Sequence, residues 1–280
     1  MSAQVLLVVL FAAVLHAVWN AWVKASVKDR LPSAAIFIGA GIVSLAVVPF
    51  VPVPAVESWP YAVASVAVHC AYSIMLGRAY RAGDFSLAYP IMRGLPPLLA
   101  GLLAWVFAGE RMAGWQLAGI VALSLGILSL ALESGWGARK ARATVGWALL
   151  VALSIGLYTV IDGMGGRVSG STVSYVAWIC LLEGILLATI VTARQGRPML
   201  VTILRSWKIT LVGGSMTLLG YILVVWAMTK APIALVSALR ETSVIFAALL
   251  GAVLFRERLG PVRLIAIALV VLGIFLTRLT

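Results

Sequence analysis

Charged residues are what this chain has least of. They make up only 11% of its 280 residues, and just nine of them are acidic. Soluble domains carry roughly 25%, so a fold that presents its surface to water is excluded. Cys70 and Cys180 are the only cysteines. Both fall in apolar stretches and lack metal-ligand spacing, so neither a disulfide framework nor a metal site is expected. Also missing are His-Glu-x-x-His, Gly-x-Ser-x-Gly, a phosphate-cradling glycine loop and paired aspartates within one apolar segment. Their absence argues against an enzyme, and no cofactor is expected. There is no nucleotide-binding segment. The formal net charge is +12, but the cations are scattered between apolar segments. That is loop charge holding an orientation in a bilayer, and no nucleic-acid partner is expected.

What the chain has in abundance is apolar sequence, at 63% of its residues. Runs of about 20 apolar residues, enough to cross a bilayer core, recur along its length. Ten spans are expected at 3–23, 33–54, 59–79, 85–107, 113–132, 144–164, 172–193, 207–227, 232–254 and 261–278. They are rich in Leu, Ala and Val without period-2 alternation, and in lipid such segments must be helices. Met1-Ser-Ala-Gln-Val has no basic region and no clear cleavage site, so the first span is read as retained. Trp59, Trp115, Trp136, Trp147 and Trp207 fall near span ends, where indoles anchor at the interface.

The second half of the chain repeats the first. Tyr89-Pro-Ile-Met-Arg93-Gly runs without gaps to Gly109-Glu110-Arg111-Met112. It matches Val236-Ser-Ala-Leu-Arg240-Glu to Arg256-Glu257-Arg258-Leu259 at a constant offset of 147 residues. Each copy sets one arginine inside an apolar stretch and ends the stretch at a Glu-Arg pair, read as a structural corner. Duplicated membrane units of this kind build small-molecule transporters from two pseudo-symmetric halves. The halves are placed at 1–137 and 138–280, joined through Gly135–Arg142. Five spans per half forces opposite orientations, giving two inverted repeats. Arg111, Arg167, Lys230 and Arg278 fall on one side of the membrane. The other loop cations fall on the opposite side, which should be the cytoplasm. A multi-pass protein of the plasma (inner) membrane with both termini outside is expected.

The two buried-arginine segments resemble the EamA-type repeat of the drug/metabolite transporter superfamily. So do His16-Ala-Val-Trp19-Asn20-Ala, Tyr158-Thr-Val-Ile-Asp162-Gly and Leu239-Arg240-Glu241-Thr242-Ser243. The resemblance covers essentially the whole chain. It implies a central cavity between two inverted five-helix halves, alternating access and no ATP hydrolysis. Relatives handle amino acids, polyamines, choline-like amines, nucleotide sugars and other metabolites. Ten-span members are often described with cytoplasmic termini, opposite to the orientation given by the loop charges here.

Ionisable groups in lipid are costly and must face the bundle interior. Arg93 lies about eight residues into its span, roughly 12 Å from the helix start. Pro90, Gly94, Pro96 and Pro97 interrupt that helix. Arg93 and Arg240 can hold a substrate carboxylate, phosphonate or phosphate through a planar fork, or pair internally with Asp162, Glu183 or Glu241. Asp162 or Glu183 can bind an ammonium or carry a coupling proton. Glu241 follows Arg240 directly, points about 100° away on a helix, and is read as contacting a neighbouring helix. His16, Asn20, Tyr158 and Asp162 occupy corresponding faces of the first helix of each half. His69 could titrate near neutral pH, but a lone histidine is more often simply hydrogen-bonded. Trp19, Tyr72, Trp178, Tyr221 and Trp226 are deep enough to line a pocket, where aromatic faces attract amines. The expectation is a secondary active transporter for a small zwitterionic metabolite of amino acid or aminophosphonate type. The alternative is an organic-cation or choline-type carrier in which the arginines are structural. Expected partners are the substrate, the bilayer and a coupling proton, with the protein a monomer or homodimer.

Overall fold

The computed structural model describes residues 1–26, 34–82, 85–131, 139–246 and 260–277, of which 19–26, 85 and 139–141 are described as backbone only. Among the described residues the chain is helical throughout and has no strand. The helices are α1 (Ala3–Ser26), α2 (Ala34–Val47), α3 (Trp59–Ala82), α4 (Phe85–Gly94), α5 (Pro96–Ala108), α6 (Gly114–Ser129), α7 (Arg139–Val168), α8 (Thr172–Gln195), α9 (Arg197–Arg205), α10 (Trp207–Lys230), α11 (Ile233–Arg240) and α12 (Pro261–Thr277). Five helical stretches among the described residues are long and apolar enough to cross a bilayer: Val56–Ala82, Ser86–Ala108, Arg142–Val168, Thr172–Gln195 and Trp207–Lys230. Side chains such as Leu7, Val63, Trp105, Leu125 and Phe275 stand out from the bundle well exposed. An apolar exterior of this kind suits lipid rather than water.

Sequence punctuation explains the breaks. Pro96 and Pro97 open α5, where a missing N–H costs nothing because first-turn donors have no intrahelical partner. The fourth apolar segment therefore bends at Leu95 into two helices. Gly109 closes α5 with φ +66°, a left-handed conformation that glycine adopts freely. At α8 the side chain of Ser171 caps the first turn by accepting from the Ser174 N–H at 3.3 Å. The stretch expected to be a plain connection near 194–206 contains a short helix, α9, between Arg197 and Arg205. Ile203 buries into the core, while the arginines sit at the ends of the helix.

Helix α2 packs on α8 and α10, α1 on α10, α3 on α7 and α8, α4 and α5 on α7, and α6 on α12. Glycines permit the closest approaches. A Cβ added at Gly41 in α2 would stand 2.8 Å from the Gly184 Cα in α8. One added at Gly119 in α6 would stand 2.7 Å from the Gly273 carbonyl oxygen in α12. Small residues at crossings replace the hydrophobic drive that lipid removes, because they let backbones come within dispersion range.

Candidate functional site

A cavity of about 400 Å³ lies among α1, α2, α3, α4, α7, α8, α10 and α11. That volume is within the range of small-molecule sites, roughly 300–1,000 Å³. Its lining reaches Tyr80 near the end of α3, and Ile36 and Ile209 near the starts of α2 and α10. Those ends of α3 and α10 carry Arg78, Arg81 and Lys208, so the cavity extends towards the arginine- and lysine-rich face. Glu110 and Arg167 lie at the opposite ends of their segments, outside the cavity lining. Arg167 donates to Glu110 at 2.6 Å and to the Met228 and Ala231 carbonyls at 2.9 and 3.2 Å. Glu110 also accepts from the Ile233 N–H at 2.8 Å, capping the first turn of α11, where a carboxylate is favoured by the helix dipole. Glu257 and Arg258, the matching corner of the second copy, lie outside the described residues.

Both repeat arginines occupy the last turn of a half-helix, Arg93 in α4 and Arg240 in α11. A cation is favoured there because the final carbonyls of a helix have no intrahelical donor. Their partners differ. The Arg93 Nε stands 2.8 Å from the Glu241 carboxylate, and its Nη2 donates to Ser243 at 2.9 Å. Both members of this ion pair are buried. Arg240 makes no ion pair among the described residues. Its Nη2 donates only to the Tyr158 hydroxyl, at a long 3.4 Å. At the repeat offset, the counterpart of Glu241 is Gly94. A Cβ there would stand 2.8 Å from Leu128 Cγ on α6, so the packing of α4 on α6 leaves no room for the matching acid.

Across the cavity, His69 on α3 bridges two carboxylates. Its Nδ1 is 3.2 Å from Glu183 on α8 and its Nε2 is 3.5 Å from Asp162 on α7. Asp162 is wholly buried behind the cavity wall. It accepts hydrogen bonds from the Tyr221 hydroxyl and, at 3.2 Å, from the Tyr175 hydroxyl. Glu183 lines the cavity itself, and its Oε1 is buried with no hydrogen-bond partner. The Tyr158 ring meets the His69 ring edge-on at 4.1 Å, and Tyr72 meets Tyr158 at 5.8 Å. One tyrosine thus touches both the imidazole of the acidic cluster and the guanidinium of Arg240.

Of the residues expected from sequence at a binding site, His16, Tyr72, Arg93, Tyr158, Glu183, Tyr221 and Arg240 line this cavity. Trp178 instead packs against Trp59, with ring centroids 5.5 Å apart. Trp226 lies against the core shared by α1, α5, α10 and α11. Neither is part of the cavity wall. Trp19 and Asn20 lie outside the residues whose side chains are described. His69, read from sequence only as hydrogen-bonded, lies in the lining, as do Tyr80, Tyr89 and Cys180, which were not expected at the site. For His69 the signal was available, since an ionisable side chain deep in an apolar segment is by default a functional one.

Residues 142–279 match the model of the EamA-like transporter family. The second half of the chain thus matches that family, as the resemblance in its repeated segments led one to expect. Over that stretch, just under half of its length, the chain is similar to membrane transporters of the drug/metabolite type. No curated protein matches the sequence. The crystal structure of another protein superposes on this chain with a TM-score of 0.77 at 20% identity, covering 99% of this chain and 97% of the other. At that identity the likeness concerns the fold, and it extends over the first half as well as the second.

Proposed function

We propose that the protein is a secondary active transporter that carries a small zwitterionic metabolite by alternating access between two inverted five-helix halves, 1–137 and 138–280. One observation carries the substrate reading. Among the described residues, the cavity wall holds a cation with no counter-ion, Arg240, together with a carboxylate oxygen that has no donor, Glu183 Oε1. A buried charge without a partner costs several kcal/mol, and a ligand bearing both signs relieves both sites at once. Arg240 takes the carboxylate or phosphonate through its fork. Glu183 takes the ammonium, with the Tyr72, Tyr158 and Tyr221 faces packed around the substrate. Arg93 is held by Glu241 and serves chiefly to tie the two broken helices together.

The helix pairing supports the inverted halves. The contact of α3 with α7 has its counterpart in that of α10 with α1. The contacts of α2 with α8 and of α6 with α12 each join equivalent helices. If the arginine- and lysine-rich face is cytoplasmic, the cavity faces inward and both termini lie outside.

A second reading has its own support. The joined rings of Phe37, Tyr72, Tyr158 and Tyr221 would suit a quaternary amine, with Arg240 then left to pair elsewhere during the cycle. A thermal-shift screen of the purified protein separates the two readings, because a ligand stabilises the state it binds by mass action. Stabilisation by amino acids or aminophosphonates, but not by their amides or esters, is expected. Stabilisation by quaternary amines alone would overturn the zwitterion reading.

A further inference from the structure

We propose that α9 and the residues flanking it form a docking site for anionic phospholipid headgroups, set in the leaflet on the arginine- and lysine-rich face. The inference does not depend on the substrate reading. Four observations favour it. First, the segment carries charge of one sign only. The stretch from Arg194 to Lys208 holds Arg194, Arg197, Arg205 and Lys208 and no Asp or Glu. Among the described residues none of these cations enters an ion pair. Cations without protein partners at a bilayer surface attract lipid phosphates, and each adds to the binding.

Second, the charge is mounted on a helix with two apolar faces of different kinds. Met199 and Ile203, four residues apart and so on one face, pack into the core shared by α2, α3, α8 and α10. The opposite face carries Val201 and Leu204, with Arg197 and Arg205 at its two ends and Trp207 just beyond. Val201, Leu204 and Trp207 are each about half exposed. Exposed apolar side chains set between arginines suit the boundary between acyl chains and headgroups. Arginine stems lie along apolar surface while their heads reach the phosphates, and an indole is favoured at that depth. A helix of this kind lies in the plane of the interface.

Third, the helix is held in place. Gly196, at φ +77°, turns the chain out of α8. Thr210 in α10 donates its hydroxyl to the Ile203 carbonyl at 3.0 Å. Arg197 and Arg205 therefore stand about 12 Å apart along a fixed axis. Fourth, the equivalent connection in the first half is unlike it. Between α2 and α3 the chain passes through two short helical turns, Val48–Phe50 and Val56–Ser58. That stretch has Pro49, Pro52 and Pro54, a single acid, Glu57, and no cation. A linker at this place in the repeat thus needs neither an amphipathic helix nor basic charge. In the inverted arrangement the two connections lie on opposite faces, so only one leaflet meets the cations.

The site stands at the lip of the cavity. Ile209, next to Lys208, is in the lining, and α9 joins the helix of Glu183 to the helix of Tyr221. Headgroups that bridge Arg194 and Lys208 tie the ends of α8 and α10 together.

The test is a thermal-shift titration of the purified protein in neutral detergent with phosphatidylglycerol, phosphatidylcholine and glycerol phosphate in turn. Phosphatidylglycerol should raise the melting temperature by mass action, phosphatidylcholine should not, and added salt should shrink the rise. No rise, or equal rises with the two lipids, overturns the proposal. A rise of the same size with glycerol phosphate also overturns it, in favour of a site for a soluble anion. Arg197→Gln with Arg205→Gln should weaken the apparent affinity for phosphatidylglycerol about tenfold or more. Arg81→Gln, on the same face but outside the site, should leave it unchanged. An undiminished affinity in the double variant, or an equal loss in Arg81→Gln, counts against the assignment to α9. Should the double variant fail to fold, Arg194→Gln with Lys208→Gln replaces it, with the same loss expected and an undiminished affinity again contradicting the proposal.

Discussion

The two broken helices that carry Arg93 and Arg240 are matched in sequence and unmatched in chemistry. Each arginine ends a half-helix at the same place in its repeat. Arg93 is locked to Glu241 and Ser243, whereas Arg240 faces the cavity with a single long bond to a tyrosine hydroxyl. The difference traces to one position. Glu241 follows the second arginine, Gly94 follows the first, and Gly94 is held by the close packing of α4 on α6. In the proposed reading the paired copy ties the two helices together, and the copy without a counter-ion among the described residues is the one that meets substrate.

Breaking the paired side should have the largest effect. Glu241→Ala leaves the Arg93 guanidinium buried without its carboxylate and should cost about 3–5 kcal/mol, read as a large loss of thermal stability in detergent. The double variant Arg93→Met with Glu241→Met should recover most of that loss, since apolar pairs often replace buried ion pairs at little cost.

On the unpaired side the expected pattern reverses. Arg240→Ala should not lower thermal stability, because no ion pair is lost and a charge without a counter-ion leaves the bundle. Yet it should weaken binding of zwitterions by at least about tenfold, the effect of removing one partner of a desolvated charge pair. Glu110→Ala removes the cap of α11 and the partner of Arg167, and should cost about 1–2 kcal/mol of stability. The smallest change is Tyr158→Phe, which deletes the one hydroxyl that Arg240 touches. A loss of about 0.5–1.5 kcal/mol in binding is expected, with stability unaltered. If Tyr158→Phe cost more binding than Arg240→Ala, the roles assigned to the two residues would have to be exchanged.

The division between Arg93 and Arg240 was only half legible in the sequence. The repeat, the prolines that break the fourth apolar segment and the depth of both arginines could all be read directly. The placement of Glu241 against a neighbouring helix could be read too, because adjacent residues on a helix point about 100° apart. What could not be read was which neighbour it meets, since that depends on how each helix is rotated in the bundle. The long helices packed around these two are apolar nearly all round and carry no polar stripe to fix their rotation. The same limit explains Trp178 and Trp226. Their depth in the membrane was legible, but the face they occupy was not, and both turned away from the cavity. His69 was underweighted for a different reason. A single histidine gives no spacing pattern, and its two carboxylates come from helices distant in sequence.

The most direct measurement is the affinity of wild type and Arg240→Ala for one amino acid and for its methyl ester, taken from the ligands that stabilise the protein. The account predicts that the wild type prefers the free acid by at least about tenfold, and that Arg240→Ala, folded and no less stable, no longer distinguishes the two. An Arg240→Ala protein that keeps the full preference would contradict the assignment of the unpaired arginine as the substrate's anion site.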